Sequence, residues 1–280
     1  SAIAPAKRPT TATSAMLNNT CKTLESMSGR IRTLDSKLYK TETGVQDKKI
    51  CDFAIPDSYC GGRDVKEPAH DLNYTEAVSA PCPICGKNIT VLNLNKRRMS
   101  VSRICGDGRI KYKECEPLWY DVWSCPYCHY SNHYLSFFRM PNFSREQIKQ
   151  ILDEKQVPVI ARAVNLTTPF DHLFLRYIQA IHVNQSLNAN SNLIVGKLWA
   201  GLYWLFDDAE DSTMKRYCAE KAAGFLAKAV DDGIDDSYSL QSICLTVANM
   251  YALLDNREGA RKMCDAVIAG DDKQLKMFAF

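Results

Sequence analysis

Excess charge is what this sequence has least of: 35 Lys and Arg stand against 32 Asp and Glu, a net charge of +3. That is too little to argue by itself for a nucleic-acid or membrane partner. No apolar run approaches the roughly 20 residues of a membrane span. Residues 1–13 are rich in Pro, Thr and Ala, with Lys7 and Arg8 but no apolar core, so they read as a flexible tail rather than a signal peptide. The chain opens on Ser1, not Met, which reads as a processed or truncated product with a segment missing upstream. Catalytic motifs are equally scarce. There is no glycine-rich phosphate loop, no H-E-x-x-H and no nucleophile elbow. Gly106-Asp107-Gly108 is too short to mean more than a turn, and His70, His172 and His182 stand apart from any nucleophile or carboxylate cluster. The expectation is a non-enzymatic protein with no membrane partner.

What is present is cysteine. Two C-P-x-C knuckles, Cys82-Pro83-Ile84-Cys85 and Cys125-Pro126-Tyr127-Cys128, are separated by the 39 residues 86–124. A two-residue spacer lets a tight turn aim two thiolates at one ion while its N–H groups donate to the sulfurs. Two such turns predict a closed four-thiolate site, Cys82, Cys85, Cys125 and Cys128, holding one structural zinc ion. Cys125 to His129 also has the C-x-x-C-H form of haem attachment, but haem needs an extracytosolic maturation route, and the matching upstream knuckle favours zinc. His133, four residues after His129, is a competitor for one thiolate position; on a strand the two would share a face. A thiol redox pair is the other competing chemistry, although such motifs sit at a helix N-terminus and both knuckles here are flanked by strand-like sequence. Of the eight remaining cysteines, Cys51 and Cys60 match no site by spacing, and Cys105 and Cys115 have no assigned role. Cys218, Cys244 and Cys264 lie in helical sequence as small apolar residues. With Cys21 they show no disulfide framework, which fits a reducing cytoplasm.

A chain of 280 residues exceeds the usual single core, so more than one structural unit is expected. From Leu17 a heptad places Leu17, Leu24, Ile31 and Leu38 at a and Thr20, Met27 and Leu34 at d. In that register Arg30 and Lys37 face Asp35 and Glu42 of a parallel copy. Residues 14–42 therefore read as a coiled-coil-like dimerising helix with the seam Leu17, Leu24, Met27, Ile31, Leu34 and Leu38. Gly29 costs that helix about 1 kcal/mol, and the competing reading packs the stripe on the chain's own domain. Residues 43–73, with Cys60-Gly61-Gly62 and Glu67-Pro68, read as an irregular connector.

Residues 74–140 read as a β-rich ribbon. Ile89–Leu94 and Met99–Ile104 predict a hairpin around residues 95–98, and Leu118–Ser124 and Tyr130–Phe138 flank the second knuckle. Lys96, Arg97, Arg98, Arg103, Arg109 and Lys111 face a single acid, Asp107. This makes Lys96, Arg97, Arg98 and Arg103 candidate nucleic-acid contacts, or a solvated basic face. Residues 141–280 read as helical. Ser144 with Gln147 and Phe143 with Ile148 predict a helix from Arg145, and Thr168-Pro169 opens another. Two helix pairs follow, Leu193–Phe206 with Thr213–Asp232, and Ser237–Leu254 with Arg257–Ala269. Gly196, Ala200 and Gly201 form a close-packing face in the first pair. The second carries Val247, Ala248, Tyr251, Ala260, Cys264 and Val267 at positions a tetratricopeptide-type hairpin fills with small or apolar residues; a generic bundle is the alternative. The acidic runs at 207–211 and 231–236 read as caps and solvated loops, or as a surface for a basic partner.

The phrase Tyr120-Asp121-Val122-Trp123-Ser124-Cys125-Pro126-Tyr127-Cys128-His129-Tyr130, with Cys82-Pro83-Ile84-Cys85-Gly86 upstream, resembles a bacterial family known as domain of unknown function 2225. The resemblance spans roughly residues 74–270 and lies chiefly in the ribbon. It implies a C-P-x-C zinc ribbon followed by tetratricopeptide-like helices, with Cys82, Cys85, Cys125 and Cys128 as zinc ligands and no established activity. His129 stands where the family usually has Gly, and Arg103–Tyr112, with its extra Cys105, replaces an acidic-to-Arg-Pro stretch. The fold class expected is α+β, a small zinc ribbon before an α-helical repeat domain. The expected function is a cytoplasmic, homodimeric scaffold that binds a protein or peptide. Nucleic-acid binding through the ribbon and thiol redox chemistry are the alternatives.

Overall fold

The computed structural model describes residues 59, 61–63, 65, 67, 73–139, 142–152, 168–187, 191–234 and 237–278, all within the unit Phe53–Phe280. The expected tail and dimerising helix, Cys21, Cys51, Cys60, His70 and most of the connector lie outside the described residues.

The ribbon is three antiparallel hairpins in series. Strand β1 (Thr75–Pro81) pairs with β2 (Asn88–Leu94) across the first knuckle, from Thr75 opposite Leu94 to Pro81 opposite Asn88. Strand β3 (Val101–Ile104) pairs with β4 (Ile110–Tyr112) across Gly106-Asp107-Gly108, and β5 (Val122–Ser124) with β6 (Ser131–His133) across the second knuckle. The hairpin expected between Ile89–Leu94 and Met99–Ile104 does not form. Lys96–Arg98 winds into a 3-10 turn, and each strand takes its ladder from the partner that a knuckle or a glycine turn folds onto it. The strand expected over Tyr130–Phe138 ends at His133, whose Nδ1 accepts the Leu135 N–H at 3.4 Å and caps the short helix α1 (Tyr134–Phe137).

The helical part follows its sequence signals closely. Helix α2 (Asn142–Ile151) begins three residues before the expected Arg145, so Ser144 lies inside it rather than at its cap. Helix α3 (Pro169–Leu187) opens as expected. Thr168 Oγ1 accepts the Asp171 N–H at 3.2 Å and donates to Asp171 Oδ2 at 2.9 Å, and Pro169 fills the first position, where a missing N–H costs nothing. The buried Asp171 carboxylate also accepts from Tyr59 Oη and the Gly62 N–H, tying Tyr59 and Gly62 onto α3. Helices α4 (Asn192–Asp208), α5 (Ser212–Asp232), α6 (Ser237–Leu253) and α7 (Arg257–Ala269) then pack each on the next, and α8 (Lys273–Lys276) closes the described chain. Of the glycines expected to pack α4 on α5, Gly196 does so, since a Cβ there would lie 2.6 Å from Leu226 Cδ2. Gly201 instead meets Tyr177 of α3, at 2.8 Å from its Cε1.

Two clusters hold the unit together. The larger buries the inner faces of α3 to α7 with Leu118, Trp119, Tyr120 and Val122 of the ribbon. The smaller gathers Ile84, Ile89, Val91, Trp123, Cys125, Tyr130 and Phe137 around the knuckles and closes on Ile148 and Leu152 of α2 and Val183 of α3. Each such side chain contributes roughly 1.5–3 kcal/mol, while each ordered residue costs about 1–2 kcal/mol of backbone entropy. So few apolar residues leave the ribbon in need of a further tie.

The Gly106-Asp107-Gly108 turn is more than a turn. Its Asp107 Oδ2 accepts from Trp204 Nε1 at 2.8 Å and its carbonyl from Thr246 Oγ1 at 2.9 Å, while Asn249 donates to the Gly106 carbonyl at 3.0 Å. Next to it Arg109, 4% exposed, forks onto Asp208 and also pairs with Glu116, and Lys111 joins Asp208 at 2.9 Å. The acidic run thus meets basic ribbon residues within one chain. Asp211, besides pairing with Arg63, caps α5 through the Met214 N–H at 3.0 Å, as its position in the sequence suggests.

Candidate metal centre

The two knuckles adopt one backbone design. In the first, the Cys82 N–H donates to the Lys87 carbonyl and the Gly86 N–H returns to the Cys82 carbonyl, both at 2.9 Å. In the second, Cys125 N–H to Tyr130 and His129 N–H to Cys125 repeat the pattern at 2.8 and 2.9 Å. The fifth residue of each turn must have positive φ, +73° at Gly86 and +59° at His129. His129 therefore bears a left-handed conformation that Gly adopts freely. His129→Gly should raise unfolding stability by about 0.5 kcal/mol, the relief of Cβ strain less the added unfolded-chain entropy. Urea denaturation of the two proteins checks this, and a loss of stability would contradict it.

The turns bring all four sulfurs within 4.8 Å of one another. Cys82 Sγ lies 3.7 Å from Cys128 Sγ, and Cys85 Sγ 3.7 Å from Cys125 Sγ, far beyond a disulfide bond. Sulfur–metal bonds of about 2.3 Å in a tetrahedron put sulfurs about 3.8 Å apart. The four cysteines thus form a site that could hold one metal ion, and the donor set leaves no position open for water. Cys82 and Cys125 are 2% and 0% exposed, while Cys85 faces solvent. A hydrogen bond from Cys128, with N–H groups of Cys85 and Ile84, pulls the Cys82 thiol down to about 5. The neighbouring Cys82 sulfur and burial push Cys128 up, and burial raises Cys125. Four sulfurs packed this closely cannot all ionise without a cation among them. His129 and His133 are outside the quartet, one at the left-handed turn residue and the other capping α1.

The candidate nucleic-acid contacts are dispersed. Lys96 pairs with Asp121 at 2.8 Å and Arg98 donates to the Asn73 carbonyl at 3.3 Å, whereas Arg97 and Arg103 are exposed and without a partner among the described residues. Arg109 and Lys111 are turned toward Asp208.

Residues 75–279, the ribbon and helices together, match the family described as an uncharacterized protein conserved in bacteria, DUF2225. The chain belongs to that family. The match extends the expected span from residue 270 almost to the end of the chain. Comparison with the curated proteins and with the solved structures finds no match. Among the described residues, no helix of this DUF2225 member is long and apolar enough to cross a membrane.

Proposed function

We propose that this unit is a non-enzymatic scaffold in which one structural zinc ion, held by Cys82, Cys85, Cys125 and Cys128, braces the ribbon while a cleft beside it binds a protein or peptide. The observation that carries the reading is a cleft of about 400 Å³ between the α1 end of the ribbon and helices α3, α4 and α6, floored by Leu118, Tyr177 and Leu198. Leu135 and Ile194 on its lining are 51% and 38% exposed, more apolar surface than a closed core leaves to water. The exposed Lys197 on the same lining fits a partner with an apolar segment next to an acid. The pairs α4–α5 and α6–α7 are read as tetratricopeptide-like, a design whose concave faces take extended partners. Dimerisation through residues 14–42 belongs to the same proposal. A cytoplasmic setting belongs to the proposal as well, since the described cysteines outside the zinc site form no disulfide.

Peptides selected from a random library on the full chain should lose affinity at least about tenfold in Leu135→Asp and Ile194→Asp, given the weight of apolar anchors at an interface centre. Selected peptides indifferent to both substitutions would sink the cleft. Arg97 and Arg103, exposed and without a partner among the described residues, favour the second reading, nucleic-acid binding. It requires affinity for RNA or DNA that falls steeply with salt and with alanine at those two positions.

A further inference from the structure

Helix α3 carries a polar stripe, His172, Arg176 and Gln179, at i, i+4 and i+7. The three line a cavity of about 430 Å³ against the second knuckle, with Trp119 and Trp123 of the ribbon on its walls. Gln179 is 3% exposed; its Oε1 accepts from Ser131 Oγ at 2.8 Å, and its Nε2 has no partner among the described residues. Arg176 donates Nε to the His172 carbonyl at 3.4 Å, leaving both Nη groups without a hydrogen bond to any described residue. The His172 imidazole is likewise unpartnered. Glu67, an exposed residue, is the one acid among the described lining residues.

Donors gathered in a concave site beside a single described acid offer an incoming anion hydrogen bonds and a positive charge. Burial pushes the Arg176 guanidinium down from its ordinary value by more than the Glu67 charge restores it, so the cation is short of a counter-charge. We propose that this cavity binds a small anion, a carboxylate or phosphate on a flat apolar body. The Arg176 fork and the Gln179 amide hold its oxygens and Trp119 and Trp123 face its body. The site lies apart from the peptide cleft and does not depend on it.

Trp119 and Trp123 make intrinsic fluorescence the readout. The full chain is titrated with benzoate and, separately, with inorganic phosphate. At least one should give a saturable change, and the tighter of the two identifies the ligand's acid group as carboxylate or phosphate. Arg176→Gln should weaken binding at least about tenfold, the weight of a charge-assisted hydrogen bond to the anion. Glu67→Gln, at an exposed position that does not endanger folding, should strengthen it about two- to threefold by removing a like charge. Circular-dichroism melting confirms that each variant is folded. No saturable response to either anion, or equal affinity in all three proteins, would overturn the proposal.

Discussion

Replacing Cys125 by Ala should empty the metal site and melt the ribbon core with it. Its sulfur is fully buried among Ile89, Trp123, Tyr130 and Phe137, so the substitution removes a ligand and opens a void together. Structural zinc sites in small domains are worth on the order of 10–16 kcal/mol of apparent binding energy at neutral pH. The loss should therefore approach the whole stability of the ribbon, and chelation of the wild type should reproduce it. Metal analysis is expected to fall from one ion per chain to none, with loss of the ordered Trp123 environment in the near-ultraviolet. Cys218→Ala, in helix α5, serves as the control and should keep its metal. Acid should act in the same direction. Protons compete with the metal for the four thiolates, so metal and ribbon stability should be lost together as pH falls. Unchanged metal content and melting in the Ala variants of Cys82 and Cys125 would end the zinc reading.

The second large effect is expected at Arg109. Its guanidinium is buried between Asp208 and Glu116 and also donates to the Trp204 carbonyl at 3.2 Å, while its Nε has no partner among the described residues. Removing one member of a buried ion pair costs about 3–5 kcal/mol, because the partner charge is left behind. Arg109→Ala should lose that much in urea denaturation, whereas Lys111→Ala, at the more open end of the same network, should lose under about 1 kcal/mol. Arg109→Met with Asp208→Leu should recover much of the deficit, since an apolar replacement leaves less charge stranded. The acid limb offers a further check. Burial would raise the Asp208 carboxyl, but Arg109 and Lys111 outweigh it and hold it below its ordinary value. Its stabilisation is present above the unfolded carboxyl's value and is lost as pH falls through the folded one, so Arg109→Ala should flatten that limb. A wild-type acid limb in Arg109→Ala would contradict the assignment.

Local chemistry was legible where the signal was local. The C-P-x-C spacing is a property of a turn, and both turns form with the same hydrogen bonds. The helix limits were readable because caps, prolines and glycines act within a few residues; Thr168-Pro169 and Gly233 lie where the sequence puts them. The β2–β3 hairpin failed because strand partners are chosen by turn geometry and by what each face buries, and propensity along Ile89–Leu94 and Met99–Ile104 does not encode that choice. The start of α2 was missed by three residues for the usual reason that helix ends fray between competing caps.

Charge shows the same division. The basic run was visible, but not that Arg109 turns inward while Arg97 and Arg103 stay in water, because Asp208 lies almost a hundred residues away in sequence. The polar i, i+4, i+7 stripe of α3 was there to be seen, yet on sequence alone it is an ordinary helix face; only the ribbon folded against it makes a cavity. By itself, then, the sequence determined the four cysteines that cluster as a candidate metal site, the helical order and the α+β class, since turns, caps and periodicity are set by neighbouring residues. The tertiary structure decided the strand pairing, the clamp around Arg109 and the two cavities, because each arises only where residues distant in the chain compete for the same buried volume.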